Sequence, residues 1–265
     1  MNKPENTTEL LAKPDFHSIQ VKLHEIPCKN PYELIFYGSR ARQEHEPLSD
    51  YNFYLIASPI DQLNSEFIQS IGKALDSLEE ESSVSLVAGD KESFRMRMSI
   101  FEPTAVHLCE TGIVIFGNDQ FTAIQKEWQD YKNRTPNFTA LIKYLENRYN
   151  FYKHLKPRNT KEDVSRVEKV LQLNLQLWIL NHISDLTVTE LWFMDIPSRL
   201  IQMMKELYVQ DVPEEILLLV TIYEEIHELK QNIRMIYPYT DNQINKIKES
   251  ILQIQDLSQI LEKKN

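Results

Sequence analysis

The segment LIFYGSRARQEHEPLSDYNFYLI, residues 34–56, contains more information about the fold than any other part of the chain. Two apolar runs are separated by a Gly-Ser pair and a basic, polar connection. Because side chains alternate in direction along a strand, Asp50 and Asn52 point the same way at the head of the second run. If the two runs pair, these side chains lie beside a turn at Gly38 and Ser39. Such a site combines backbone that can surround a phosphate with oxygen ligands for a hard cation.

The spacing of these residues resembles the signature of the polymerase-β-like nucleotidyltransferases, in particular their minimal and antibiotic-modifying members. In that family a Gly-Ser pair is followed, after a short connection, by Asp-x-Asp. Ser39 and Asp50 have the family separation, and Asn52 replaces the second acid. The resemblance covers residues 33–117. It implies an α/β nucleotidyltransferase domain with a mixed sheet.

The resemblance also implies roles for individual residues. Family members bind a nucleoside triphosphate with two Mg²⁺ ions, which clamp the attacking and leaving oxygens of an in-line displacement. The implied nucleotide-binding residues are Gly38, Ser39, Arg40 and Arg42. The implied metal ligands are Asp50 and Asn52. The implied catalytic set is Asp50, Asn52 and Ser85, where Ser85 occupies the position of a third acid that helps to deprotonate the attacking hydroxyl.

The chain keeps one of the three family carboxylates, since Asn52 and the Ser85 of a Val-Ser-Leu-Val segment replace the others. A single carboxylate suits one Mg²⁺ that is carried in by the nucleotide, because protein Mg²⁺ sites rely on phosphate oxygens and water as well. Asp90 and Glu102 are alternative acids from later segments. The pattern favours a degenerate nucleotidyltransferase that binds a nucleotide and works through binding or regulation.

Two other functions stay open. The first is an active Mg²⁺-dependent nucleotidyltransferase that moves a nucleoside monophosphate to a hydroxyl of a small molecule, a protein or RNA. It requires Asn52 as a metal ligand and an acid that the sequence does not identify. The second is action of the helical half on RNA, because Arg148 and His154 fit the loose Arg-His spacing of HEPN ribonucleases. A six-residue offset turns about 240° around a helix, which separates these two side chains.

The chain changes character near residue 119, since all five glycines precede residue 120. Apolar runs predict strands at 33–37, 51–57, 84–87, 96–101 and 112–117. Helical periodicity predicts helices at 16–26, 65–80, 120–134, 137–155, 161–184, 188–208, 213–236 and 241–263. We therefore predict a nucleotidyltransferase-like α/β domain over residues 1–119 and an all-α helical bundle, of HEPN-like character, over residues 120–265.

Composition restricts the partners and the compartment. The formal charge of −10 argues against a general nucleic-acid-binding surface. Cys28 and Cys109 are the only cysteines, which indicates a reducing compartment without a disulfide framework. The polar segment Met1–Lys13 does not predict a signal peptide, and the sequence contains no apolar run of membrane-spanning length. We expect a cytoplasmic protein that binds a nucleoside triphosphate and a small-molecule or protein acceptor, without membrane contact. The apolar helical half is consistent with a homodimer.

Overall fold

A computed structural model describes residues 16–43, 50–58, 63–79, 83–156, 160–182, 188–194 and 214–235. The chain forms two compact units. The first comprises Met1–Met98 and Thr104–Asn133, and the second comprises Ser99–Pro103 and Arg134–Asn265. Residues 120–133, which the sequence analysis assigned to the helical domain, lie in the first unit.

The first unit is built on a four-stranded mixed sheet. Its strands are β1 (Tyr32–Tyr37), β2 (Tyr51–Ala57), β3 (Val84–Gly89) and β4 (Ile113–Phe116). The strand order is β3-β2-β1-β4, in which β2 and β3 are parallel and the other two pairs are antiparallel. The sequence prediction of a mixed sheet combined with helices is confirmed.

Ten helices have described bounds. They are α1 (His17–His24), α2 (Ser39–Arg42), α3 (Ser65–Glu79), α4 (Lys91–Ser99), α5 (Pro103–Thr111), α6 (Gln120–Tyr131), α7 (Phe138–His154), α8 (Thr160–His182), α9 (Val188–Phe193) and α10 (Glu214–Met235). The predicted helices at 16–26, 65–80, 120–134, 137–155, 161–184 and 213–236 are confirmed within a few residues. Of the helix predicted at 188–208, the structure describes a helix at Val188–Phe193, and residues 195–208 lie outside the described residues. The helix predicted at 241–263 also lies outside the described residues. In the second unit, α8 packs against both α7 and α10.

The two faces of the sheet are covered by different helices because the strand side chains alternate in direction. One face packs on α1 and α3. Its core includes Ile19, Leu23, Leu34, Phe36, Phe53, Leu55, Phe67, Ile71 and Leu75. On the other face, Tyr54 contacts Phe94 of α4 with ring centroids 5.5 Å apart. Phe94 in turn contacts Phe121 of α6 at 5.7 Å.

The strand predicted at Met96–Phe101 is wrong, since Lys91–Ser99 forms α4. Asp90 accepts a hydrogen bond from the backbone N–H of Ser93 at 2.7 Å, and this bond satisfies a donor that the first helical turn leaves free. Phe94 and Met98 are buried four residues apart, which is the spacing of one helix face. Helix α5 was not predicted, although a proline at the first helical position is a helix-start signal.

A buried glutamate fixes the start of α6. Glu33 of β1 is only 1 % exposed, and its carboxylate replaces the solvent that would otherwise bind the free N–H groups at the helix start. The backbone N–H donors are those of Asn118 (3.1 Å), Gln120 and Phe121 (2.6 Å). Gly117 leaves room for this carboxylate, because a Cβ there would lie 2.4 Å from Glu33 Cγ. The contacts join β1, the end of β4 and α6.

We expect Gly117→Ala to destabilise the first unit by about 2–4 kcal/mol, because the new methyl group must displace Glu33 or the backbone. Its φ of +131° adds backbone strain. The matched control is Gly72→Ala in α3, where an added Cβ meets nothing within 4 Å. This control should stabilise the protein by about 0.5–1 kcal/mol. Urea denaturation measures both, and a wild-type midpoint for Gly117→Ala would contradict the role given to the Glu33 contacts.

Candidate functional site

The ends of three strands meet at one edge of the sheet. Since β2 and β3 are parallel and β1 is antiparallel to β2, the end of β1 lies beside the starts of β2 and β3. Tyr37 pairs with Asn52, and Asn52 pairs with Ser85. The structure therefore brings Asn52, Ser85 and the residue after β1, Gly38, to the same edge. We refer to Gly38, Asp50, Asn52, Ser83 and Ser85 as the strand-edge site.

Gly38 forms the turn that the sequence predicted between the two apolar runs. Its φ of +90° and ψ of −164° belong to a region that is essentially restricted to glycine. A Cβ at this position would lie 3.1 Å from Asn52 Nδ2, so the close approach of Asn52 also favours glycine. Ser39 begins α2, and the N–H of Arg42 donates to the carbonyl of Gly38 at 3.2 Å.

The Asp50 carboxylate is hydrogen-bonded to a serine that was not among the residues predicted from the sequence. Ser83 Oγ donates a hydrogen bond to Asp50 Oδ1. A second bond joins the same segments, from the backbone N–H of Tyr51 to the carbonyl of Ser83 at 2.9 Å. The two side chains meet because each residue directly precedes a strand and the two strands are parallel. Ser83 is exposed to solvent.

Asn52 provides an amide where the family has a second acid. Its Nδ2 donates to the backbone carbonyl of Asp50 at 3.3 Å, and the same nitrogen is the atom that a Cβ added at Gly38 would approach most closely. The amide nitrogen is thereby directed toward the turn. Neither this group nor the Ser85 hydroxyl carries a charge, so Asp50 is the one carboxylate among the five described residues that define the strand-edge site.

These residues do not fit a resident two-metal centre. Among the described residues, no group of three or more His, Cys, Asp and Glu side chains is placed to hold a metal ion. What the site offers is the Asp50 carboxylate together with amide and hydroxyl oxygens. This set can contribute a ligand to a Mg²⁺ ion that arrives already bound to phosphate oxygens.

Of the basic residues next to the turn, Arg40 lies close to the start of β2. The guanidinium carbon of Arg40 lies 4.1 Å from the ring centroid of Tyr51, an arrangement in which the ring face attracts the cation. The Tyr51 side chain alternates with that of Asn52 along β2, and its ring belongs to the core that α1 and α3 cover. Arg42 contributes its backbone N–H to the α2 turn.

Asp90, the first alternative acid, lies away from the strand-edge site. Asp90 follows the end of β3, whereas Ser85 lies at the start, so the length of the strand separates them. The Asp90 carboxylate accepts from the backbone N–H of Ser93 at 2.7 Å and from Ser93 Oγ at 2.9 Å. The bond from the Ser93 N–H is the main reason why the pKa of Asp90 lies below its ordinary value of 3.8. Glu102 belongs to the second unit, where it accepts a hydrogen bond from Tyr144 Oη at 3.2 Å.

The two residues considered for RNA cleavage have separate neighbours on α7. Arg148 Nη2 donates to Tyr152 Oη at 3.0 Å, and His154 Nδ1 bonds to the carbonyl of Asn150 at 2.8 Å. The structure does not bring the two side chains together.

The chain matches no protein-family model, and no curated protein is significantly similar to it. Within the part of the chain that the structure describes, no helix combines the length and the apolar character that crossing a membrane requires. A function must therefore be argued from the geometry of the strand-edge site.

The lowered pKa of Asp90 predicts a dependence of stability on pH. A carboxylate with a depressed folded-state pKa stabilises the fold above its unfolded-state pKa, and this contribution disappears as the pH falls through the folded-state pKa. At neutral pH, Asp90→Asn should cost about 0.5–1 kcal/mol, because the charge at the start of α4 is lost.

The difference in the free energy of unfolding between Asp90→Asn and wild type should become smaller as the pH falls below 3.8. Urea denaturation at neutral pH and below 3.8 measures it. The control is Asp76→Asn, at an exposed position of α3, which should stay within about 0.5 kcal/mol of wild type at both pH values. A difference for Asp90→Asn that does not change with pH would contradict the assigned origin of the shift.

Proposed function

We propose that this chain is a nucleotidyltransferase-fold protein with a degenerate active site, which binds a nucleoside triphosphate and acts through binding or regulation. The observation that carries the proposal is the register Tyr37–Asn52–Ser85, which aligns Gly38 with two of the three positions that carry acids in the family. The separation between Ser39 and Asp50 supports the same assignment from the sequence.

The charge of the site favours nucleotide binding over metal-dependent turnover. Three carboxylates within a few ångströms of one another repel a triphosphate unless cations neutralise them. With Asp50 as the one carboxylate among its five residues, the strand-edge site opposes the phosphates less. The small number of carboxylates also weakens the binding of a second metal ion. Nucleotide binding should therefore depend only modestly on Mg²⁺, which enters with the nucleotide.

In this proposal the first unit is the nucleotidyltransferase domain, and the second unit is a helical bundle that contacts an acceptor, a protein partner or a second copy of the chain. The packing of α8 against α7 and α10 supports a bundle. The cytoplasm, where nucleoside triphosphates are abundant, is the proposed compartment.

One observation favours the second candidate, an active transferase. Asp50 accepts a hydrogen bond from a hydroxyl, and a carboxylate in that position can act as a general base toward the hydroxyl. An external acceptor hydroxyl would have to take the position that Ser83 occupies.

The phosphate-binding role of Gly38 can be tested with Gly38→Ala and Gly38→Asp. Both variants must adopt a φ of +90°, so both should lose about 1–3 kcal/mol of stability. Only the aspartate adds a negative charge next to the phosphates. Titration of the folded proteins with Mg²⁺–ATP should show about 10-fold weaker binding for Gly38→Asp than for Gly38→Ala, which corresponds to 1.4 kcal/mol. Equal affinities of the two variants would contradict the assignment.

Restoring the family acids is a second test. Asn52→Asp with Ser85→Asp places two new carboxylates on paired residues of neighbouring strands, beside Asp50. Without metal their mutual repulsion should lower stability by about 1–2 kcal/mol. Mg²⁺ should restore stability, because a ligand that binds only the folded state stabilises that state.

Thermal melting in Mg²⁺ and in chelator measures the effect. The two single substitutions are controls, and their melting temperatures should differ less between the two solutions. The same melting temperature for the double variant in both solutions would mean that positions 50, 52 and 85 do not converge on a cation.

A further inference from the structure

We propose that Ser83 is a nucleotide acceptor: the chain attaches a nucleoside monophosphate to its own Ser83 Oγ. The inference rests on the proposed function, because it requires a nucleoside triphosphate at the strand-edge site. It goes further in naming the acceptor, the base and a covalent product.

The geometry places a hydroxyl and a base together. Ser83 Oγ–H already donates to Asp50 Oδ1, so the proton that must leave the nucleophile points at a carboxylate. Ser83 is held there by the bond from the backbone N–H of Tyr51 to its carbonyl oxygen, at 2.9 Å. It is exposed and precedes β3, so a phosphate can approach it from solvent. Ser85, by contrast, lies within β3 and pairs with Asn52.

The chemical step balances without a further reactant. Ser83 Oγ attacks the α-phosphorus of the bound triphosphate, and its proton moves to Asp50. The new bond joins Ser83 Oγ to the α-phosphorus, and the bond from the α-phosphorus to the bridging oxygen of the β-phosphate breaks. Pyrophosphate leaves, and Asp50 later returns the proton to water. The product is a phosphodiester between Ser83 and the nucleoside.

This reaction suits a site that has lost acids. An external acceptor has to be bound, oriented and deprotonated, and the family uses a third acid for the last step. Ser83 belongs to the same chain, so no entropy of association is lost when it reacts. Its proton is already directed at Asp50, so one carboxylate suffices as base. A site that reacts once with its own residue needs no machinery for exchanging acceptors.

The test uses the full chain, with ATP, GTP, CTP and UTP offered one at a time in the presence of Mg²⁺. Each nucleotide carries ³²P in either the α- or the γ-phosphate. Binding is measured separately by equilibrium dialysis. Intact-protein mass and peptide mapping then locate any adduct. The variants are Ser83→Ala, Asp50→Asn and, as a matched control, Ser70→Ala, which removes an exposed α3 hydroxyl that bonds to the carbonyl of Glu66.

We expect one nucleotide to leave its α-label on the wild-type protein and to lose its γ-label with pyrophosphate. The adduct should map to Ser83. It should be absent from Ser83→Ala and unchanged in Ser70→Ala. At saturating nucleotide, Asp50→Asn should form it about 100-fold more slowly, since the general base is gone. Thermal melting confirms that each variant is folded.

Other outcomes separate the two proposals. Binding of a nucleotide without an adduct would overturn the modification and leave the proposed function standing. Absence of binding to all four nucleotides would overturn both. Retention of the γ-label would indicate phosphoryl transfer and overturn nucleotidylation, and an adduct that persists in Ser83→Ala would overturn the choice of residue.

Discussion

The carboxylate of Glu33 is removed from water, and the backbone N–H groups at the start of α6 take the place of its solvent. A buried carboxylate without such partners is strongly destabilising, so β1 can occupy only the position that brings Glu33 to this helix end. A shift of β1 by one residue would turn Glu33 to the opposite face of the sheet. The same shift would move Gly38, at the other end of the strand, away from Asn52. A residue far from the strand-edge site therefore fixes the register on which the site depends.

The position of β1 inside the sheet extends this constraint to the other strands. β1 is bordered by β2 and β4, and β2 carries β3 in parallel register. Once β1 is fixed, the antiparallel pairing sets Asn52 opposite Tyr37, and the parallel pairing sets Ser85 beside Asn52. The aromatic contacts of Tyr54 with Phe94 and of Phe94 with Phe121 link β2 through α4 to α6, the helix that Glu33 caps. The Glu33 hydrogen bonds and this aromatic series therefore both connect the sheet to α6.

Sequence reasoning found what depends on local pattern and missed what depends on pairing. The apolar runs of β1 and β2 and the turn at Gly38 could be read directly, since a strand and a glycine turn have short-range signals. Met96–Phe101 was misread as a strand because the helix-start signal lies earlier, in the cap that Asp90 forms with Ser93. Glutamate side chains are usually exposed, so the sequence does not indicate that Glu33 is buried. Ser83 contacts Asp50 only because β2 and β3 pair in parallel register. Neither contact is visible without the three-dimensional pairing.

The hydrogen bond between Ser83 and Asp50 bears on the chemistry that this acid can perform. The family resemblance implies that Asp50 is a metal ligand. In this structure its Oδ1 accepts a hydrogen bond from the hydroxyl of Ser83, the residue directly before β3. Asn52 and Ser85, at the positions where the family resemblance implies acids, add no charge that would compete with a hydroxyl for a cation. In the proposed reaction, the chemistry at this edge is therefore the transfer of one proton from one hydroxyl, and that hydroxyl belongs to the chain itself.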